Sequence, residues 1–166
     1  VSLTNLNIQS NPLTTIDITK NVELEEFQGS YIKFSSIDVS NNTKLKKLII
    51  NGTDGDASSL STIDLSKNLE LTNLGLKSNS LTSLDLTKQS KDKLTALDVS
   101  LNPFNCILVT QAQLDAINGG NLSGWIKGSS QVFSTDCTRT YVPDDYFESE
   151  LIKLGYDKES YTKLLT

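Results

Sequence analysis

The stretch from residue 60 to residue 89, LSTIDLSKNLELTNLGLKSNSLTSLDLTKQ, contains one short pattern three times. The three copies begin at Leu60, Leu71 and Leu81, and in each copy the first, fourth and sixth positions are apolar. The spacing of the fourth and sixth positions predicts a short strand that points both side chains inward. One such copy cannot bury its apolar row alone, so we expect successive copies to stack into a solenoid.

The same pattern extends outward from this stretch in both directions. Of its 27 first, fourth and sixth positions, 26 are apolar, with Gly29 as the exception. The nine copies begin at Leu3, Leu13, Leu24, Phe34, Leu45, Leu60, Leu71, Leu81 and Leu94. Two half-units therefore alternate in a unit of 21 residues, interrupted by one insertion of four or five residues and a smaller one of two or three. About five coils at the strand spacing of ~4.8 Å predict a stack roughly 24 Å long.

Asparagine is the most frequent residue at the ninth position of the pattern. A buried amide there can satisfy backbone groups where the chain turns, so stacked copies predict an asparagine ladder. The ladder positions are Asn11, Asn21, Asn42, Asn68, Asn79 and Asn102. Ile32, Thr53 and Gln89 occupy the same position in the other copies, and we expect local differences there.

Composition excludes several classes of function. The chain has 166 residues, a net charge of −5 and a single arginine, Arg139, which argues against nucleic acid as a partner. It has no histidine, so imidazole-dependent catalysis and histidine-ligated zinc are excluded. No apolar run approaches the ~20 residues of a membrane span, so no membrane insertion is expected. Without an initial Met or a signal-peptide pattern, the sequence leads us to expect a mature or trimmed chain.

Three segments of the repeat resemble a known family. LTTIDITKN from Leu13, LSTIDLSKNLELTNLGLKSN from Leu60 and LTALDVSLNP from Leu94 are similar to the 21-residue leucine-rich repeats of bacterial surface proteins. The similar styles are the internalin J type and the leucine-rich-repeat proteins secreted by Bacteroidetes. The resemblance covers residues 1 to about 105 and implies a right-handed α/β solenoid of about five coils, dominated by short parallel β-strands.

The resemblance also implies two walls of the solenoid. In the family one half-unit forms a concave sheet, and the half-unit with the LDLS motif lies on the opposite wall. By analogy the concave strands are Leu3–Gln9, Leu24–Ser30, Leu45–Asn51, Leu71–Lys77 and Leu94–Ser100.

The sequence changes character after Pro103, where we expect a C-terminal cap. Thr110 and Gln113 fit a capping box at the start of a helix, and Gly119 is the first of two glycines that would end it. These signals predict a helix from about 110 to 118. Cys106 and Cys137 flank this segment; they are either a disulfide in an exported protein or two buried thiols in a cytosolic one. The segment resembles the cap of Bacteroidetes leucine-rich-repeat proteins, and this implies a disulfide-closed cap. The predicted division is a solenoid over 1–105, a cap over 106–137 and a tail over 138–166.

The tail has its own apolar pattern. Phe147, Leu151 and Leu154 share one face of a predicted terminal helix, and Gly155 follows as a stop. The segment resembles the one that opens a leucine-rich-repeat domain in the same Bacteroidetes proteins. It is either the start of a following module or a helical appendage on the cap.

Two sets of acidic residues are candidates for chemistry. Aspartates occupy the fifth position of the LDLS half-units, and stacking predicts a column of carboxylates: Asp17, Asp38, Asp64 and Asp85, with Asp98 following the same motif. Serine or threonine follows each of them by two residues and can donate to the carboxylate, so we favour a structural role. Asp54 and Asp56 in the insertion are candidate Ca²⁺ ligands, although a plain surface turn is the preferred interpretation and no metal site is predicted.

The inferred concave face is the best-placed binding surface, because the curvature of a solenoid concentrates contacts there. Its outward side chains are polar and mixed in charge, and Tyr31 is the nearest ring for stacking on a sugar. The candidate ligand-binding residues are Glu26, Gln28, Tyr31, Lys47, Ile49, Asn51, Asn73 and Lys77.

Three hypotheses about function follow. The leading one is a non-catalytic recognition module of an exported or cell-surface bacterial protein, a monomer without cofactors that binds a protein or a polysaccharide. The second is a carbohydrate-active enzyme, which would need Glu25 or Glu26 at about 5–10 Å from an acidic residue on an adjacent coil. The third is a passive spacer or adhesin stalk that displays other modules.

Overall fold

The computed structural model describes residues 2–52 and 60–138 and shows two parallel sheets on opposite walls of a solenoid. The first sheet, which forms the wall predicted to be concave, has six strands in sequential order: β1 (Asn5–Asn7), β2 (Glu26–Gln28), β3 (Lys47–Ile49), β4 (Asn73–Gly75), β6 (Ala96–Asp98) and β8 (Trp125–Ile126). The second has three strands, β5 (Leu84–Asp85), β7 (Cys106–Leu108) and β9 (Val132–Ser134). One helix, α1 (Gln111–Asn118), joins the two walls in the last coil.

The strands pair in the register that the repeat predicts. Leu6, Phe27, Leu48, Leu74 and Leu97, all at the fourth position, are successive partners across the sheet. The regular strands have three residues where the sequence predicted about seven, since the chain turns sharply at both ends of each strand. Cross-coil hydrogen bonds continue past the strand ends, for example from the Ser10 N–H to the Ser30 carbonyl at 3.0 Å.

The apolar row of each half-unit forms one continuous core along the axis. Phe27, Leu48 and Leu74 are 0 to 1% exposed, and Leu65 and Leu86 on the opposite wall are 2% and 0% exposed. Because each coil covers the row of the next, burial of this row is what holds the coils in register.

Two amide ladders hold the corners. On one corner Asn42 Nδ2 donates to the Ile18 carbonyl and Asn68 Nδ2 to the Val39 carbonyl, both at 3.0 Å. Gln89 continues this ladder, because its Nε2 donates to the Leu65 carbonyl at 2.9 Å. The longer glutamine side chain thus replaces asparagine at one of the three positions where a local difference was expected.

The second ladder encloses the insertion. Asn79 Nδ2 donates to the Ile50 carbonyl at 2.7 Å, and its Oδ1 accepts from the Leu60 N–H at 3.1 Å. One side chain therefore joins the residues on both sides of the insertion. Gly52 lies at the same corner, where a Cβ would come within 1.8 Å of the Ser78 carbonyl oxygen, so only glycine fits.

The last coil has the predicted cap structure. The Gln113 N–H donates to Thr110 Oγ1 and the Thr110 N–H donates to Gln113 Oε1, which confirms the capping box. Trp125 is 7% exposed and its Nε1 donates to the Leu94 carbonyl at 2.7 Å. The Cys106–Cys137 disulfide ties β7 to the residues after β9, so the disulfide-closed cap is confirmed. Asp54, Asp56 and the tail from residue 139 onward lie outside the described residues.

Candidate functional site: the concave sheet

The concave sheet and its margin bring the eight predicted site residues together. Glu26, Lys47 and Asn73 are successive register partners across the sheet. Gln28 and Ile49 are register partners two residues further along their strands. Asn51, Lys77 and Tyr31 lie two or three residues beyond their strands, along one margin of the same sheet. The eight residues therefore form one surface across β2, β3 and β4, which we call the concave patch.

Opposite charges face each other across β2 and β3. The second coil carries Glu23, Glu25 and Glu26, and the third coil carries Lys44 and Lys46 followed by Lys47. Lys44 Nζ lies 2.6 Å from Glu23 and Lys46 Nζ lies 2.8 Å from Glu25. The hydrogen bond and the charge of Glu25 raise the pKa of Lys46. These two ion pairs run beside the sheet and join neighbouring coils.

Glu26 and Lys47 differ from these pairs. They are partners in the register of β2 and β3 and both are half-buried, yet they form no ion pair among the described residues. The Glu26 carboxylate and the Lys47 ammonium, on the outward face of the sheet, are therefore available to a ligand. The concave patch thus offers an acceptor and a donor next to each other without a large net charge.

Tyr31 is the aromatic group at the margin of the patch. It is 57% exposed and takes a left-handed backbone conformation with φ of 60°. Ser10, Ser78 and Leu101 share this conformation at the same position of other coils, so it is a property of the corner. In the next coil the equivalent residue is Gly52, which has no side chain to cover the ring. Tyr31 can therefore stack on a ligand.

Asn51 and Ile49 already have partners in the neighbouring coils. Asn51 Oδ1 accepts from the Lys77 N–H at 3.0 Å, and the Asn51 N–H donates to Ser30 Oγ at 3.2 Å. Ile49 leans over Gly75, where a Cβ would come within 3.0 Å of Ile49 Cδ1. Asn51 thus links neighbouring coils at the margin of the sheet, while Ile49 is a half-buried apolar side chain at the centre of the patch.

Two exposed apolar residues of this wall were missed by the sequence analysis. Leu101 is 57% exposed at the position equivalent to Tyr31, and Ile126 is 53% exposed on β8 beside Asp98. The last predicted concave strand ended at Ser100, one residue before Leu101, and the cap strand has no copy of the repeat that could have indicated Ile126. The exposed corner position of Tyr31 is the signal that could have found Leu101.

The aspartate column has a structural explanation. Asp17, Asp38, Asp64 and Asp85 each accept a hydrogen bond from the backbone N–H two residues on, at 2.8 to 2.9 Å. Side-chain hydrogen bonds from Thr19 and Ser40, followed by their backbone bonds, lower the pKa of Asp17 and Asp38, and the backbone and side-chain bonds of Ser66 lower the pKa of Asp64. Asp98 makes the same bond but lies on β6, in the concave strand predicted over Leu94–Ser100, so it belongs to that sheet and not to the column.

The carboxylate pair required for glycoside cleavage is not found at the predicted residues. The register partners of Glu26 are Asn5 and Lys47, and the Glu25 carboxylate is paired with Lys46. Residues 2–52 and 60–138 contain no group of three acidic or cysteine side chains that could hold a metal ion. Within the same residues no helix has the length and apolarity needed to cross a membrane.

Fold and surface together define a leucine-rich-repeat solenoid. Among solved structures, the chain is similar to the functional domain of internalin J from Listeria monocytogenes, described as including a cysteine ladder. The TM-score is 0.58 and the sequence identity is 23%. The match covers 86% of this chain and 32% of the internalin J chain. No protein-family model and no curated protein match the sequence. This chain has two cysteines, both in the cap disulfide, and its own ladders are formed by amide side chains.

Proposed function

We propose that this chain is a non-catalytic recognition module of an exported bacterial protein and that it binds a protein partner through the concave patch. The observation that carries the proposal is the Glu26 and Lys47 pair, which lies open on the sheet while the neighbouring Glu25 and Lys46 are paired. Ile49 and Tyr31 add apolar contact area to these charges. Polar and charged groups around a few apolar or aromatic side chains are typical of protein interfaces.

Export is supported by the disulfide, since such bonds persist in oxidising compartments. We propose the division into a solenoid over 1–105, a cap over 106–137 and a tail over 138–166, with the chain acting as a monomer. The register partners of Glu26 are Asn5 and Lys47, neither of which is acidic, and this supports a role without catalysis.

A polysaccharide is the second candidate ligand. Tyr31 is exposed beside the amides of Gln28 and Asn51, and a ring with hydrogen-bonding groups around it suits a sugar. A neutral glycan would use the ring and the amides and would depend little on the Glu26 and Lys47 charges.

The test compares two double variants that remove the same charges from the same two coils. Glu26→Ala/Lys47→Ala removes the open pair, and Glu25→Ala/Lys46→Ala removes the ion pair beside it. Wild type and both variants are immobilised and exposed to proteins from the outer surface of the source cell and to a glycan array. We expect a protein that binds to wild type and to Glu25→Ala/Lys46→Ala. The same protein should not bind to Glu26→Ala/Lys47→Ala.

Other outcomes have defined meanings. Glycan binding that is lost with Tyr31→Ala and kept with Glu26→Ala/Lys47→Ala would replace the protein ligand with a polysaccharide. Equal binding by all variants would move the site away from the concave patch. Absence of any ligand in both screens would contradict recognition and favour the spacer role.

A further inference from the structure

Asp98 makes the same hydrogen-bonded turn as the aspartates of the second wall, but its surroundings differ. The aspartates of the second wall are all exposed: Asp17, Asp38, Asp64 and Asp85. Asp98 is half-buried on β6 of the concave sheet. A carboxylate that gives up part of its hydration on a sheet face is stabilised by a cation that takes the place of the lost water.

The neighbours of Asp98 in the sheet are apolar or have no side chain. Its register partners are Gly75 on β4 and Ile126 on β8. The Ile49 side chain covers Gly75, because its Cδ1 lies 3.0 Å from the position that a Cβ would take at that glycine. Ile126 is 53% exposed, and glycines lie two residues before and after it. The Asp98 carboxylate therefore lies between two isoleucine side chains.

The Asp98 carboxylate is held in one orientation. The Ser100 N–H and the Ser100 hydroxyl both donate to the same oxygen, Oδ1, at 3.1 and 2.7 Å. Asp98 forms no ion pair with any lysine in the part of the chain that the structure describes. The second oxygen, Oδ2, is therefore an acceptor whose position is fixed before a ligand binds, which lowers the entropic cost of binding.

We propose that Asp98, Ile49 and Ile126 form an anchor site for an arginine side chain of the protein partner. The carboxylate attracts a cation, and the two isoleucines offer contact area to the aliphatic stem of a long cationic side chain. Arginine fits better than lysine, because a guanidinium is weakly hydrated, whereas an ammonium would lose its water where Gly75 and Ile126 supply no acceptor side chain. The inference rests on the proposed function, since it takes the ligand to be a protein, and it adds the residue that this protein presents.

The test selects binders from a phage-displayed library of random dodecapeptides. The immobilised targets are wild type, Asp98→Asn, Ile126→Ser and Asp64→Asn. Asp98→Asn removes the charge and keeps an acceptor for Ser100, and the Ile126 side chain is exposed, so both variants are expected to keep the wild-type melting temperature. Asp64→Asn is the matched control, because it makes the same change in the same kind of turn on the opposite wall.

We expect the peptides enriched on wild type to share an arginine next to an apolar residue. A synthetic peptide from this set should bind at least about tenfold more weakly to Asp98→Asn and about fivefold more weakly to Ile126→Ser. It should bind to Asp64→Asn as it binds to wild type. Citrulline has nearly the shape of arginine and no charge, so citrulline in place of that arginine should weaken binding to wild type as much as Asp98→Asn does, and lysine should not restore it.

Two results would overturn the proposal. The first is a selection on wild type that enriches no arginine-containing peptide. The second is a set of arginine-containing peptides that bind equally to wild type and Asp98→Asn and are lost with Glu26→Ala/Lys47→Ala, which would assign the cation to Glu26. Neither result decides the screen with cell-surface proteins and glycans, so failure of the arginine site and failure of the recognition function are distinguished.

Discussion

At the scale of single residues, close packing between coils decides which substitutions the chain tolerates. Gly52 and Gly75 illustrate the difference. A Cβ at Gly52 would lie 1.8 Å from the Ser78 backbone oxygen, whereas a Cβ at Gly75 would meet the end of the Ile49 side chain at 3.0 Å. A backbone atom can yield only if the coil moves, while a side chain can change its rotamer.

We therefore expect Gly52→Ala to lower the free energy of unfolding by about 3 kcal/mol, and Gly75→Ala by about 1 kcal/mol or less. Urea unfolding of the two variants against wild type measures both values. Equal losses would contradict the view that backbone contact at Gly52 fixes the corner.

The aspartates of the second wall predict a dependence on pH. Hydrogen bonds from Thr19, Ser40 and Ser66 hold the pKa values of Asp17, Asp38 and Asp64 below their ordinary value of 3.8. Their stabilising effect is thus fully present above that value and is lost as the pH falls through the lowered folded-state pKa values.

The melting temperature of wild type should fall between about pH 4 and pH 2. Asp17→Asn/Asp38→Asn/Asp64→Asn keeps an acceptor oxygen at each site and removes the titration, so its melting temperature should fall less over that range. Parallel curves for the two proteins would mean that other groups control the acid transition.

At the scale of elements, amide side chains join one coil to the next. Asn79 bonds to both sides of the insertion, and Gln113 on α1 extends the other ladder to the Leu86 and Gln89 carbonyls at 2.8 Å. Each buried amide satisfies backbone groups that would otherwise lack partners at the corners.

Asn79→Ala is expected to cost about 3 kcal/mol of stability, because the Ile50 carbonyl and the Leu60 N–H would be left buried without partners. Asn11→Ala is the matched control, since Asn11 occupies the same position in the first coil and is exposed. It should cost less than about 1 kcal/mol. Chemical denaturation of both variants gives the comparison, and a cost at Asn11 equal to that at Asn79 would argue against the ladder as the source of stability.

At the scale of the whole molecule, the two ends of the solenoid are treated differently. The C-terminal end is covered by α1, β8 and β9 and tied by a disulfide with a sequence separation of 31 residues. The N-terminal end leaves its apolar row open. The cap therefore closes one end of the stack, while Leu3 and Leu13 at the other end are each 39% exposed.

Cys106→Ser/Cys137→Ser should lower the free energy of unfolding by roughly 3–4 kcal/mol, because the bond limits the freedom of the unfolded chain. Denaturation of wild type with and without a reducing agent should show the same loss, and the double variant should not respond to the reducing agent. A loss well below this range would mean that packing of Trp125 and Phe133 holds the cap without the bond.

The amino-acid pattern alone was enough to predict the repeat, the register of the concave strands, the capping box at Thr110 and the candidate cysteine pair. These features depend on local patterns or on exact periodicity, which stacking converts directly into neighbours in space. Three-dimensional packing was needed to show that Glu25 forms an ion pair while Glu26 does not, and that Leu3 and Leu13 are partly exposed. Those outcomes depend on side-chain direction and on the order of coils along the axis, because the same motif can face a neighbour, the solvent or an open end.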